Sequence, residues 1–147
     1  MQEKPEPTET RQKTFSVLLI DDDTDILTTL KHSLGQAGMH TYGFTNPMLA
    51  VEHFRRNANN YDIVVTDIHM PHMSGFQVAR AVKQIRPDIK VAFAISFDIN
   101  KSEFDKVFPS TEADAFITKP VKPSMSTEIS SVLQHIPYKG GVLRFES

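Results

Sequence analysis

Short apolar runs alternate along this chain with segments in which apolar residues recur at helical spacing. This order predicts repeated strand-helix units around a parallel sheet, with strands that are buried on both faces. The predicted strands span residues 17–20, 39–44, 63–66, 91–95 and 113–117. The fold class expected from the pattern is therefore α/β, with five strands and five flanking helices.

Each predicted helix carries one apolar face. In chain order, these faces comprise Ile26, Leu27, Leu30 and Leu34; Leu49, Val51 and Phe54; Phe76, Ala79, Val82 and Ile85; Phe104, Val107 and Phe108; and Ile129, Val132, Leu133 and Ile136. Asn46 is expected to cap the second helix with Pro47 in its first turn, and Gly35 or Gly38 to end the first helix. The third is expected to stop before Pro87.

Composition narrows the functional classes. A chain of 147 residues, 39% of them hydrophobic, fits one domain without disulfides, and the absence of cysteine excludes thiolate sites and suits a reducing compartment. A net charge of −2 gives no basic field, so we expect no nucleic-acid binding by this chain alone. No apolar run approaches the about 18 residues of a membrane span. The domain is expected over 14–137, between a flexible tail at 1–13 and a C-terminal tail or linker stub at 138–147.

Chemically active side chains follow four of the predicted strands. Three aspartates come after the first strand, one after the third, a serine after the fourth and a lysine after the fifth: Asp21, Asp22, Asp23, Asp67, Ser96 and Lys119. Functional groups of an open parallel sheet gather at the carboxyl ends of its strands. We therefore expect these side chains to converge on one site.

The chemistry of such a site follows from charge. Clustered carboxylates repel one another, and oxygen ligands without sulfur favour Mg²⁺, with Mn²⁺ as an alternative. A carboxylate accepts a phosphoryl group when the transferred charge is neutralised from several sides, which Mg²⁺, the Lys119 ammonium and the Ser96 hydroxyl would provide. Asp67, which leaves the central third strand, is the expected acceptor.

Four segments carry a resemblance to a known family. They are VLLIDDD at 17–23, DIVVTDIHMPHMSGFQV at 62–78, VAFAIS at 91–96 and AFITKP at 115–120. Together, in this order, they resemble the receiver domain of two-component response regulators over residues 14–136. The resemblance implies a flavodoxin-like, doubly wound sheet of order 2-1-3-4-5, a cytoplasmic location without membrane association, and no independent enzymatic turnover.

The resemblance also implies roles for individual residues. Asp67 would accept phosphate from a histidine kinase or a histidine phosphotransfer protein. Asp22 would bind Mg²⁺ directly and Asp21 through water, while Asp67 and the main-chain carbonyl of His69 would complete the protein ligands.

A switch is implied as well. Ser96 would turn toward the phosphoryl group and the aromatic Phe116 would rotate inward behind it. This movement would remodel the face formed by the fourth helix, the fifth strand and the fifth helix, which would bind an unknown downstream protein or output domain, or a second copy of the chain.

Some positions depart from the family pattern. Phe97 stands where a small alanine is usual, so its ring is expected to narrow access and slow phosphorylation by small phosphodonors. The segment 104–114 lacks the usual glycine-alanine turn before the fifth strand. The side chain of His69 is expected to influence phosphate lifetime in a direction that the sequence does not give.

Other interpretations compete with this one. Asp23 is the expected cap of the first helix, and the acidic triplet alone would suit a helix start. A calcium-binding loop fails because Ile26 and His32 occupy its glycine and glutamate positions. A zinc site at the two histidines of residues 69–72 lacks a further ligand.

Two other functions on a similar sheet are also considered. A phosphohydrolase of the haloacid-dehalogenase type requires threonine or valine where Asp25 stands. A non-phosphorylated pseudo-receiver would have lost an acid, the nucleophile or the lysine.

Overall fold

The computed structural model describes residues 14–95 and 114–118. These residues form a sheet of five parallel strands in the order β2-β1-β3-β4-β5, as predicted. The elements are β1 Ser16–Ile20, α1 Thr24–Gln36, β2 His40–Phe44, α2 Pro47–Asn57, a short 3₁₀ helix Ala58–Asn60, β3 Ile63–Asp67, α3 Gly75–Ile85, β4 Lys90–Ile95 and β5 Ala115–Thr118. The fourth and fifth predicted helices and the two predicted tails lie outside the described residues.

Two apolar layers cover the sheet. Alternate residues of β1 point to opposite faces, so Leu18 packs with α2 and α3, whereas Leu19 packs with the buried leucines of α1. The central strands β1 and β3 are buried almost throughout, as the sequence predicts. This rigid centre fixes the directions in which the residues after β1 and β3 leave the sheet.

The predicted helix boundaries agree well with the structure. Asn46 caps α2 by accepting from two backbone N–H groups, and Pro47 is its first residue. Gly38, with φ 89°, follows the end of α1, where Met39 N–H donates to Leu34 O. Because L-residues with a side chain seldom adopt this φ, glycine suits the position.

Two burial predictions are wrong. The strand predicted at 39–44 is β2, and it is not buried on both faces: His40 and Tyr42 are exposed because β2 has a neighbour on one side only within the described sheet. Leu49 is 58% exposed. The buried stripe of α2 instead runs through Pro47, Ala50, Val51 and Phe54, and Leu49 points away from that face.

Aspartates also occupy the amino ends of two strands. Ser16 N–H donates to Asp62 Oδ2 at 2.8 Å, and Asp62 N–H donates back to Ser16 O. Asp114 repeats the pattern, since it accepts from Val91 N–H at 2.8 Å and donates to Val91 O. Lys83 of α3 forms an ion pair with the same Asp114 oxygen at 3.1 Å. Each of these carboxylates thus links two neighbouring strands at their amino ends.

Candidate functional site

Three carboxylates meet at the carboxyl edge of the sheet. Asp21, Asp22 and Asp67 each bring one oxygen within 4.8 Å of the others. Asp21 is buried, Asp67 is half-buried and Asp22 is exposed. Sequence reasoning predicted this convergence, because the residues follow adjacent strands β1 and β3 of a parallel sheet. The result is an acidic cluster that is anchored in the core and open to solvent on one side.

The strand ladder holds Asp21 in place. Its N–H donates to Phe44 O at 3.1 Å, which continues the pairing of β1 with β2 by one residue. Its side chain is 1% exposed, and its Oδ1 accepts the N–H of Asp23 at 2.9 Å. Burying an ionised carboxylate is unfavourable unless donors or cations compensate it. Asp21 is therefore the member of the cluster with the most to gain from a cation.

Asp23 serves the helix instead of the cluster. Its Oδ1 accepts from Asp25 N–H at 2.9 Å and from Ile26 N–H at 3.3 Å, which makes it the N-cap of α1. This assigns the capping role to Asp23, as predicted from the register of the triplet. The phosphohydrolase alternative would use Asp21 and Asp23 as its reacting pair, and a capping carboxylate held by two N–H groups is poorly suited to that role.

Asp67 is the last residue of β3 and is held from two sides. Ile68 N–H donates to its Oδ1 at 2.9 Å, which fixes the plane of the carboxylate. The hydroxyl of Thr66, which is fully buried, donates to the main-chain oxygen of Asp67 at 2.9 Å. Sequence reasoning missed Thr66. Its signal was a lone hydroxyl at the end of an otherwise apolar strand.

The loop after Asp67 turns sharply before α3. His72 has φ 73°, and Met73 N–H donates to Pro71 O at 2.8 Å across it, which closes a three-residue turn. A positive φ at a residue other than glycine costs free energy. Ser74 and Gln77 then form a capping box that starts α3. The loop therefore has a defined backbone conformation.

Gly75 packs α3 directly against the backbone of Asp67 and Ile68. Its N–H donates to Ile68 O at 2.7 Å. A Cβ placed on Gly75 would lie 2.9 Å from Ile68 Cα and 3.0 Å from the carbonyl carbon of Asp67, and closer still to the Asp67 carbonyl oxygen. Contacts this short to backbone atoms require the backbone to shift. The sequence alone does not indicate this contact.

The donor set of the cluster fits Mg²⁺. Three carboxylates offer hard oxygen ligands, and Mg²⁺ binds through one or two such groups while retaining waters. Within the described part of the chain, this is the only group of three or more potential metal-binding side chains, so the two loop histidines have no zinc-type partners there. His69 is exposed on the loop. The ligand role of its main-chain carbonyl stays a prediction.

Several predicted site residues lie outside the described ranges. Ser96, Phe97 and Lys119 belong to this group, so the structure does not place the hydroxyl, the ring or the amine. Phe116 lies in β5, where its backbone pairs with Phe93 of β4. Its switching role stays a prediction.

Comparison with known proteins gives one consistent answer. A sequence model of the family described as "Response regulator receiver domain" matches residues 17–129. The chemotaxis protein CheV1 of Helicobacter pylori is 31% identical over 123 residues, which cover 80% of this chain and 38% of that protein. The response regulator receiver protein CpdR of Brucella abortus is 37% identical over 81 residues, covering 55% of this chain and 66% of CpdR. The matched part of this chain is thus less than two thirds of either relative.

Solved structures give the same fold. A response regulator receiver domain protein from Clostridium thermocellum superposes with a TM-score of 0.72 at 26% identity, covering 81% of this chain and 94% of that one. Among the described residues, no helix combines the length and the apolar character needed to cross a bilayer.

Proposed function

This chain belongs to the response regulator receiver domain family, and we propose that it acts in a phosphorelay by accepting a phosphoryl group on Asp67. The carrying observation is the acidic cluster, in which Asp67 lies within 4.8 Å of Asp21 and Asp22 at the carboxyl edge of the sheet. A lone aspartate after a strand would have many explanations. Its convergence with two more carboxylates, in a chain of this family, favours the acceptor role.

The proposed reaction is a transfer between two side chains. An Asp67 carboxylate oxygen attacks the phosphorus of a phosphohistidine on a histidine kinase or a histidine phosphotransfer protein. The new O–P bond forms as the P–N bond breaks, and the imidazole leaves with the electron pair and takes a proton from solvent. The product is an acyl phosphate on Asp67, which hydrolyses slowly, so the chain is an acceptor without independent turnover.

The protein's own contribution is mainly positioning. Ile68 N–H orients the Asp67 carboxylate, while Gly75 and Thr66 support the main chain on either side of it. A nucleophile that is held in one orientation loses less entropy on reaching the transition state.

Mg²⁺ is part of the proposal. Asp21, Asp22, Asp67 and the His69 carbonyl would hold it, and when bound it neutralises charge on the transferring phosphoryl group. Lys119 and Ser96 would neutralise the remaining phosphoryl oxygens, as the resemblance implies. In this proposal the three acids bind the cation and the Lys119 amine neutralises the phosphoryl group, so both kinds of side chain have a role in one site.

The proposal also covers the output, that is, how phosphorylation would change the face that binds a partner. Ser96 and Phe116 would couple phosphorylation to the face formed by the fourth helix, β5 and the fifth helix, where a downstream protein or a second copy would bind. The relay would operate in the cytoplasm, as is usual for this family. The resemblance of the four sequence segments supports both statements.

Intact-mass spectrometry tests the acceptor role. The chain is incubated with Mg²⁺ and acetyl phosphate, and in parallel with beryllofluoride, which mimics the phosphoryl group. We expect acetyl phosphate to add the mass of one phosphoryl group to the wild type, and beryllofluoride to add the mass of one fluoroberyllate under native ionisation. Neither reagent should change the mass of Asp67→Asn. Asp62→Asn is the matched control, because it changes an aspartate at the opposite end of β3 and should still be labelled.

Two outcomes would refute the proposal. One is a lack of any Asp67-dependent adduct in a folded protein with either reagent. The other is multiple turnover of p-nitrophenyl phosphate, which would favour a phosphohydrolase. A faster reaction of Phe97→Ala with acetyl phosphate would support the predicted narrowing of the site, and equal rates would contradict it.

A further inference from the structure

A recess lies at the amino end of the sheet, opposite to the acidic cluster. Its volume is about 520 Å³, and it is lined by residues from the amino ends of β1 and β2, from α2 and from the turn that leads into β3. It shares no residue with the cluster of Asp21, Asp22 and Asp67. A volume of this size falls within the range of small-molecule sites, about 300–1,000 Å³.

Three aromatic rings form one wall of the recess. The ring centroids of Tyr42 and His53 are 5.2 Å apart, and those of His53 and Tyr61 are 5.6 Å apart, both in edge-to-face geometry. Tyr42 also contacts Tyr61 at 6.3 Å, and it is 60% exposed. Mutual edge contacts hold the rings in fixed orientations. An exposed ring with a fixed orientation is suited to stacking on a planar ligand.

The hydrogen-bond pattern provides a donor in this wall. Asn57 Nδ2 donates to His53 O at 2.9 Å and also lies 3.4 Å from His53 Nδ1, a long contact that suits the tautomer with the proton on Nε2. In that tautomer His53 Nε2 donates to Tyr61 Oη at 2.7 Å, which leaves the Tyr61 hydroxyl to donate to a ligand. In the other tautomer the Tyr61 hydroxyl donates to Nε2. Burial raises the pKa of Tyr61 to about 12, so the hydroxyl keeps this proton at neutral pH.

The edge of β2 provides further polar groups. His40 N–H donates to Phe15 O, and Phe44 O accepts from Asp21 N–H, so both residues direct their backbone groups toward β1. Backbone groups alternate in direction along a strand, so the N–H and C=O of Thr41 point away from the sheet. Thr41 also lines the recess. No strand of the described sheet pairs with these two groups, which leaves one backbone donor and one backbone acceptor beside the recess.

The described residues that line the recess carry no full charge. They offer hydroxyl, amide, phenol and imidazole groups, and none of them is lysine, arginine, aspartate or glutamate. A charged ligand would lose hydration without meeting an opposite charge, so the recess favours neutral compounds. From the aromatic wall, the Tyr61 hydroxyl and the edge at Thr41, which pairs with no strand of the described sheet, we propose that the recess binds a small, uncharged, planar aromatic carboxamide.

Nicotinamide is a suitable probe, and an NMR titration of ¹⁵N-labelled protein is the test. We expect its amide signals to shift at Tyr42, His53 and Tyr61 and not at Asp67. Cyclohexanecarboxamide carries the same amide on a ring without π electrons, so we expect it to bind about tenfold more weakly. The result should be the same in Asp67→Asn, which separates this proposal from the proposed function.

Single variants identify the groups responsible. Tyr42→Leu keeps an apolar side chain and removes the ring, and it should weaken nicotinamide binding about tenfold. Tyr61→Phe keeps the ring and removes the donor, and it should weaken binding between about twofold and tenfold. Met48→Ala is the matched control, since Met48 is a similarly exposed residue of α2 that does not line the recess. It should bind like the wild type.

The proposal is overturned by any of three results. These are shifts that do not centre on the recess, equal affinities for nicotinamide and cyclohexanecarboxamide, or unchanged affinity in Tyr42→Leu. Because Tyr42 is largely exposed, its replacement should leave the fold intact. The spectrum of each variant verifies this before the titration.

Discussion

Aspartates stand at both ends of this sheet, and their surroundings differ. At the amino end, Asp62 and Asp114 each accept a backbone N–H from a neighbouring strand, and Lys83 neutralises Asp114. At the carboxyl end, Asp21 and Asp67 come together with a third carboxylate within 4.8 Å. The amino-end acids link neighbouring strands, whereas Asp21 and Asp67 accept N–H groups from residues one or two positions further along the chain and lie beside a third carboxylate.

The difference teaches how to separate structural from functional carboxylates. An acid that accepts backbone N–H groups stabilises the fold, because its charge is compensated within the protein. Clustered acids also repel one another, and until a cation arrives this repulsion offsets part of the stability that the local hydrogen bonds of Asp21 and Asp67 contribute. Removing an acid should therefore weaken the fold at the amino end, whereas removing Asp22, the exposed acid of the cluster, should have little or the opposite effect.

The largest effect expected is that of Gly75→Ala, which tests how closely the carboxyl end is packed. The new Cβ would collide with the backbone of Asp67 and Ile68. We expect the free energy of unfolding to fall by about 3 kcal/mol or more and labelling of Asp67 to be lost. Gly35→Ala is the control, since nothing lies within 4 Å of its added Cβ and alanine favours the helix. Equal stability of both variants would contradict the close packing.

The next effect concerns a buried phenol at the amino end. Burial raises the pKa of Tyr61 from 10.0 to about 12. Because the folded pKa is the higher one, this contribution to stability is complete below pH 10 and is lost as the pH rises from 10 through 12; it is on the order of 2 kcal/mol. Urea unfolding across this range should show the loss in the wild type and not in Tyr61→Phe. Parallel pH profiles of the two proteins would refute the assignment.

Removing a carboxylate at the amino end should lower the free energy of unfolding. Asp114→Ala leaves Val91 N–H without this acceptor and Lys83 without its ion pair, so we expect unfolding to become about 2 kcal/mol easier. Asp88→Ala is the matched control, because Asp88 pairs with Arg86 on the surface with its side chain 80% exposed. Its loss should have almost no effect. If Asp114→Ala were equally neutral, the contrast between the two ends would fail.

The smallest effect distinguishes the two ends by their response to Mg²⁺. At ten times its dissociation constant, Mg²⁺ should stabilise the wild type by about 1.4 kcal/mol in thermal unfolding. Asp22→Asn should lose this gain and, without Mg²⁺, should be as stable as the wild type or slightly more so, since one repulsive charge is gone. Asp114→Ala should retain the gain. A Mg²⁺ effect that survives in Asp22→Asn would place the cation elsewhere.

The sequence predicts the fold where local and global preferences agree. Uniformly apolar β1 and β3 indicated a buried parallel centre, and Asn46 and Pro47 marked the start of α2. The prediction was wrong at β2 and Leu49, because exposure there depends on which strand lies at the edge and on how α2 is rotated about its axis. Both are properties of the assembled sheet, and neither can be predicted from a short segment of the sequence.

The same distinction holds for the site. The convergence of Asp21, Asp22 and Asp67 could be predicted, because parallel strands bring their carboxyl ends to one edge. The contact of Gly75 with the Asp67 backbone could not, since it depends on how near α3 approaches β3. The pairing of Lys83 with Asp114 joins residues 31 positions apart and likewise had no local signal.

The hydrogen bond from Gly75 N–H to Ile68 O has a practical consequence for spectroscopy. The oxygen that it reaches belongs to the residue after Asp67, so a displacement of the backbone at Asp67 and Ile68 must alter its length. Glycine amides resonate in a sparsely populated region of a ¹⁵N spectrum, where a single peak can be followed without an added label. The packing that excludes a side chain at this position therefore supplies an internal reporter, readable by chemical shift and by hydrogen exchange, for events at the neighbouring carboxylate.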